Sequence, residues 1–177
     1  MILTGPEISA AVSDGRIRIH PFRAEQVNPN SYNVRLGPTL LTYTDPVIDA
    51  YRSNPTRPAT IGSDGYVLRP DELYLGHTVE EVGSDTFVPL LFGRSSVGRL
   101  GLFVEITAPI GDIGFHGQWT LMLSPVRPLR VYPGMKIGQI MFFVSTGVVD
   151  LYRGKYQDST GPQPSQYWRD LLKAGAS

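Results

Sequence analysis

The run Gln118-Trp119-Thr120-Leu121-Met122-Leu123-Ser124 places Trp119, Leu121 and Leu123 on one side of an extended chain and Thr120, Met122 and Ser124 on the other. A period of two with one uniformly large, apolar side is the signature of a half-buried strand. The same period recurs on both sides of it, in RIRIHPF, SYNVRLG, GYVLRP, LYLGHTVEEV, TFVPLLF, LFVEITA and KIGQIMFFV, with Gly, Pro, Asn and Asp between the runs. Many short strands and little helix predict an all-β fold, a distorted β-barrel or jelly roll. The one helix expected early in the chain is short: Thr4 and Glu7 have the spacing of a capping box, and Ile8, Ala11 and Val12 form one apolar face before Gly15.

The 177 residues suit a single domain, 1–177, with a C-terminal tail from residue 155. Fifteen prolines and nineteen glycines fall between strands rather than in one block, as turns require. Two segments depart from the strand pattern. TDPVIDAYRSNPTRPATIGSDG reads as an extended surface excursion. The tail carries STGPQPSQ and then a helical patch, YWRDLLKA, and reads either as disordered or as a flap over a site.

Sixteen basic and sixteen acidic residues cancel, which argues against nucleic acid as a partner but leaves room for a small anion held by local arginines. With no cysteine, disulfides, thiolate zinc sites and a cysteine nucleophile are excluded, and a reducing compartment fits. No window reaches the ~18 apolar residues of a membrane span. The expectation is a soluble, cytoplasmic protein with no membrane partner.

Three clusters carry chemistry. FGRSSVGRLGL groups Arg94, Ser95, Ser96 and Arg99 between Gly93 and Gly98; guanidinium forks, hydroxyls and turn N–H groups together suit phosphate oxygens, although a solvated turn has the same composition. ITAPIGDIGFHGQWTL isolates Asp112 among glycines, either as an Asx-turn residue or as a carboxylate that orients water. LYRGKYQDSTG offers Tyr152, Lys155, Tyr156 and Ser159 from the tail. There is no GxxxxGK[ST] loop, no GxGxxG after a strand and no HxE with PCxxC, so helix-based phosphate cradles and zinc-dependent base deamination are not indicated.

In this order, and with NPNSYNVRLG (28–37) and KIGQIMFF, the clusters resemble the dCTP deaminase and trimeric dUTPase superfamily. The resemblance implies a homotrimer with active sites at subunit interfaces under the C-terminal tail. Arg94, Ser95 and Ser96 would lie on the triphosphate, and magnesium would be bound through its phosphates rather than by the protein. Lys155 and Tyr152 would close from the tail, with Tyr156 and Ser159 beside them. Phe115 would pack on the deoxyribose, residues Thr120, Leu121 and Met122 would line the base, and Ser95, Arg99 and the Ala108 carbonyl would position the water that attacks C4 of cytosine, without zinc.

One position departs from the deaminase pattern. The strand glutamate that shuttles protons in that branch falls here on Met122, and a thioether accepts no proton at neutral pH. Losing a general base costs on the order of 10²- to 10⁴-fold in rate. The leading expectation is therefore a deoxynucleoside triphosphate hydrolase that converts dUTP or a related dNTP to the monophosphate and diphosphate, with Asp112 activating water. The alternatives are a dCTP deaminase with an altered acid/base residue, acting on cytosine or a modified cytosine, and a catalytically silent nucleotide-binding trimer. Glu105 is a second source of a carboxylate, but alternation along LFVEITA leaves its direction open.

Overall fold

The computed structural model describes residues 1–105 and 107–174. Helix α1 (Gly5–Ser13) is followed by strands β1 (Arg18–His20), β2 (Val27–Asn28), β3 (Ser31–Arg35), β4 (Thr39–Tyr43), β5 (Thr56–Thr60), β6 (Tyr66–Leu68), β7 (Tyr74–Gly83) and β8 (Phe87–Gly93). Then come the helical turn α2 (Ser95–Gly98), strands β9 (Leu102–Phe103), β10 (Gln118–Pro125), β11 (Leu129–Val131) and β12 (Lys136–Val144), and helix α3 (Trp168–Ala174).

Six strands form one sheet, in the order β5-β4-β7-β10-β9 with β1 also on β7; four form a second, β2-β3-β12-β8; β11 and β6 pair separately. All of these pairings are antiparallel. Both larger sheets feed one core, with Tyr32, Val34, Leu91, Ile140 and Phe142 from the second and Leu40, Val82, Leu121 and Leu123 from the first. This is the expected jelly-roll-like arrangement, in which each sheet buries one face against the other.

Strand β10 alternates between half-buried and buried residues along its whole length, as its sequence predicts. Leu121 lies fully inside the core on the face opposite Thr120 and Met122. Its side chain is therefore excluded from any pocket on that other face, which corrects the expectation that it lines the base.

Two other expectations change. Thr4 is the N-cap of α1 but makes no side-chain capping bond, and Glu7 instead meets Arg16 at 3.0 Å, so no capping box forms. The presumed surface excursion contains β5, which pairs with β4 across Leu41 and Pro58. Pro58 is tolerated because β5 is an edge strand with no neighbour on its other side to need the missing N–H.

Beneath the sheets lies a buried polar group. Glu80 is fully buried, takes the Arg35 guanidinium at 2.6 Å and the Arg35 backbone N–H at 2.8 Å, and accepts from Gln26 at 2.9 Å. These bonds compensate for removing the carboxylate from water.

Candidate active site

The tail crosses the IGDIGFHG loop where two glycines make room for it. Gly114 (φ +94°) has the Tyr152 backbone so close that a Cβ would sit 2.7 Å from its nitrogen, and at Gly117 (φ +147°) a Cβ would meet the Ser159 nitrogen at 2.8 Å. Any side chain would clash with the tail backbone and strain its own. Backbone bonds use this closeness: Tyr152 N–H donates to Ile113 O (2.8 Å), and Gln118 N–H donates to Ser159 O (2.8 Å). Gln157 donates from Nε2 to Gly114 O (2.8 Å), and its Oε1 accepts the His116 N–H (3.1 Å). Further along, Gly161 N–H donates to Gln118 Oε1, Gln163 N–H to Thr120 Oγ1 and Ser165 N–H to the Tyr43 hydroxyl. The tail is thus a flap folded over the chain.

Under the flap is a cavity of about 450 Å³, within the range of small-molecule pockets. Its lining includes Ala108, Asp112, Phe115, Thr120, Met122, Tyr152, Tyr156 and Ser159 among the expected site residues. Phe115 anchors an aromatic wall, edge-on to Trp119 at 5.7 Å and to Tyr152 at 6.0 Å between ring centres. Tyr152 also receives the Tyr156 N–H on its hydroxyl, which fixes the two tyrosines relative to each other.

Arg94, Ser95, Ser96 and Arg99 do not line this cavity. Ser95, Ser96 and Arg99 are exposed at α2, and Arg94 is half-buried with its guanidinium 3.5 Å from Lys136 O. Lys155 is likewise outside, paired with Asp170 and placed over the Tyr156 ring. Within one chain, then, the residues expected to face the base come together, while the phosphate-binding candidates stand apart from them.

Sequence reasoning overlooked Tyr43, Gln118 and Gln163 in the lining, and left Glu105 undecided. The Glu105 side chain points into the cavity. Strand pairing brings this segment alongside β10: Ser124 lies opposite Phe103 and Pro125 opposite Leu102, and Glu105 follows two residues after β9 ends. The Met122 backbone N–H bonds the carboxylate, while Glu105 Oε1, shielded from solvent, has no hydrogen-bond partner among the described residues. Burial raises the Glu105 pKa to about 8, and the single backbone bond offsets this only in part. Asp112, by contrast, is exposed at the cavity rim. The two carboxyl groups of the lining therefore differ in environment, a half-buried acid that holds its proton near neutrality and one exposed to solvent.

His77 is buried under Gly37, with burial lowering its pKa, and His116 bonds Asp85 at 2.8 Å.

The fold class is that of a solved 2′-deoxycytidine 5′-triphosphate deaminase from Agrobacterium tumefaciens, with a TM-score of 0.65 over 81% of this chain at 22% identity; the chain spans 48% of that protein's length. The family model described as dCTP deaminase-like matches residues 2–145, and the chain belongs to that family. Among its relatives, a protein of Hathewaya histolytica named "dCTP deaminase, dUMP-forming" is 48% identical over 97% of this chain and 99% of its own length. One of the same name from Clostridium beijerinckii is 47% identical over 98% of this chain and all of its own length. Among the described residues no helix is long and apolar enough to cross a membrane.

Proposed function

We propose that the protein converts dCTP to dUMP, releasing ammonia and diphosphate. That conversion consists of two hydrolyses, one at C4 of the base and one at the α-phosphate. The observation that carries the reading is the pair of carboxyl groups in one cavity, Glu105 half-buried with its Oε1 shielded and Asp112 exposed, since each hydrolysis needs a group to handle the protons of its own water. The relatives' shared name, at close to half identity over nearly the whole chain, supports deamination over dUTP hydrolysis alone. The expectation drawn from Met122, that only phosphate-side chemistry survives, gives way for that reason.

In this reading Phe115, Thr120 and Met122 enclose the nucleoside while Tyr152, Tyr156, Ser159 and Gln163 close over it from the tail. Asp112 activates the water that attacks the α-phosphate. In this reading magnesium would be carried on the triphosphate, with Asp112 the exposed carboxylate of the lining beside it. Magnesium would neutralise phosphate charge; Arg94, Ser95, Ser96, Arg99 and Lys155 add cations and donors for the same charge.

In this reading a homotrimer would complete the arrangement. The separation of α2 from the cavity supports it, because a second copy would then bring phosphate donors to the nucleotide. Leu100, Phe103 and Val126 are exposed next to α2, where a partner would cover them. A cytoplasmic location fits the pools of deoxynucleotides this chemistry uses.

Product analysis tests the proposal: purified protein with dCTP and magnesium should yield ammonia, diphosphate and dUMP in equal amounts. Diphosphate from dUTP with no ammonia from dCTP would restore the hydrolase reading, and tight binding of dCTP without any product would favour a silent nucleotide-binding trimer.

A further inference from the structure

We propose that Glu105 is the catalytic acid/base of the deamination step, supplying from β9's continuation the carboxylate that Met122 on β10 does not. The proposal rests on the deaminase reading above and deepens it.

Three observations converge on this residue. Glu105 follows β9, the strand paired with β10, and lines the same cavity as Met122, whose backbone N–H bonds the Glu105 carboxylate. A carboxylate moved from one position to the other stays in the lining of the same cavity. Its Oε1 is buried and unpartnered among the described residues, an arrangement costly to maintain unless a ligand completes it. Among the cavity's described lining residues, the only other carboxylate is Asp112, which lies exposed at the rim. Burial also raises the Glu105 pKa to about 8, close to the range where one group both accepts and returns a proton efficiently.

The chemistry balances with water as the only co-reactant. As the water oxygen bonds to C4 of the cytosine, its proton passes through the Glu105 carboxylate to N3. The proton of the new C4 hydroxyl then passes through the same carboxylate to the exocyclic amine. The C4–N bond breaks, ammonia leaves and the C4 carbonyl of uracil remains, with no net oxidation or reduction. The Met122 N–H holds the carboxylate in place while leaving its other oxygen for the base.

The test uses the full chain and two readouts, ammonia from dCTP and diphosphate from dUTP. In Glu105→Gln the ratio of the first rate to the second should fall on the order of 10²- to 10⁴-fold. Adding Met122→Glu to that variant, which returns a carboxylate to the facing strand, should recover at least about tenfold of the loss, an outcome a purely structural role for Glu105 would not produce. An unchanged ratio in Glu105→Gln overturns the assignment, and so does a proportional loss of both rates. Should the Gln variant not fold, Glu105→Asp serves instead, since it keeps the acid but shortens its reach; its ratio should fall about tenfold, and a wild-type ratio overturns the assignment. A wild-type chain that gives no ammonia from dCTP defeats the deaminase reading and this assignment together. A deaminating wild type matched by its Gln variant defeats the assignment alone.

Discussion

The cavity beneath the tail and the turn at α2 are built in opposite ways. The cavity is walled by β10, the IGDIGFHG loop and the tail, with aromatic rings set edge to edge and the flap fastened by backbone bonds at Gly114 and Gly117. The turn holds Ser95, Ser96 and Arg99 in open solvent. A pocket that must exclude water around a base benefits from being formed in advance, whereas groups that meet a triphosphate gain from being presented outward to another copy. On the proposed reading the difference means that the chain encodes half of a site at each place, and that the two halves meet between different copies.

The largest expected effect tests the rim of the cavity. Asp112→Asn should lower diphosphate release from dUTP on the order of 10³-fold while nucleotide binding, followed by calorimetry, persists. Undiminished hydrolysis would remove Asp112 from the phosphate chemistry. Next, Arg99→Ala at the turn should lower kcat/KM for dCTP by about 10²-fold, because an arginine on a triphosphate contributes mainly through charge that develops in the reaction. A wild-type value would show that the turn has no part in the site.

The flap gives a smaller effect. Gly114→Ala would place a Cβ 2.7 Å from the Tyr152 nitrogen at a positive φ, so the tail should lift, KM should rise about tenfold, and the Tyr152–Gly161 segment should become sensitive to limited proteolysis. Equal proteolysis rates in variant and wild type would mean that the tail does not depend on this crossing.

How far all this was legible depends on whether a feature is local. Period-two runs revealed the strands, and alternation in QWTLMLS set Met122 on one face and Leu121 on the other, although naming Leu121 as a base contact ignored that same alternation. Strand β5 went unseen because Pro58 reads as a breaker, and only its edge position makes that proline harmless. Glu105 was left open for a related reason: it follows a strand of two residues, too short to show a period, and that strand is held against β10 twenty residues on. Tyr43 reaches the cavity from the end of β4 and Gln163 from the folded tail, with no sequence mark of their own. The glycines at 114 and 117 were visible as turn residues, but the chain that crosses them was not.

The smallest effect is a pH-dependent stability difference that isolates the buried side of the comparison. Glu105 binds its proton more tightly folded (pKa about 8) than unfolded, where the ordinary value is 4.5. The folded state therefore holds more protons between those values, so stability is fully present below pH 4.5 and is lost as pH rises toward 8. Glu105→Gln lacks this loss, and its Tm relative to wild type should climb across that window by roughly 5 °C. A pH-independent gap would show that the carboxyl group is hydrated, like that of Asp112.

The central claim, that cavity and turn from different copies form one site, is tested most directly by mixing two inactive chains. Glu105→Gln disables the cavity and Arg99→Ala the turn; unfolded together in equal amounts and refolded, they should regain about a quarter of the wild-type rate of ammonia release from dCTP, the fraction of randomly assembled sites that pair an intact cavity with an intact turn. Activity no higher than the average of the two separate variants would place both halves of the site in one chain and contradict the account.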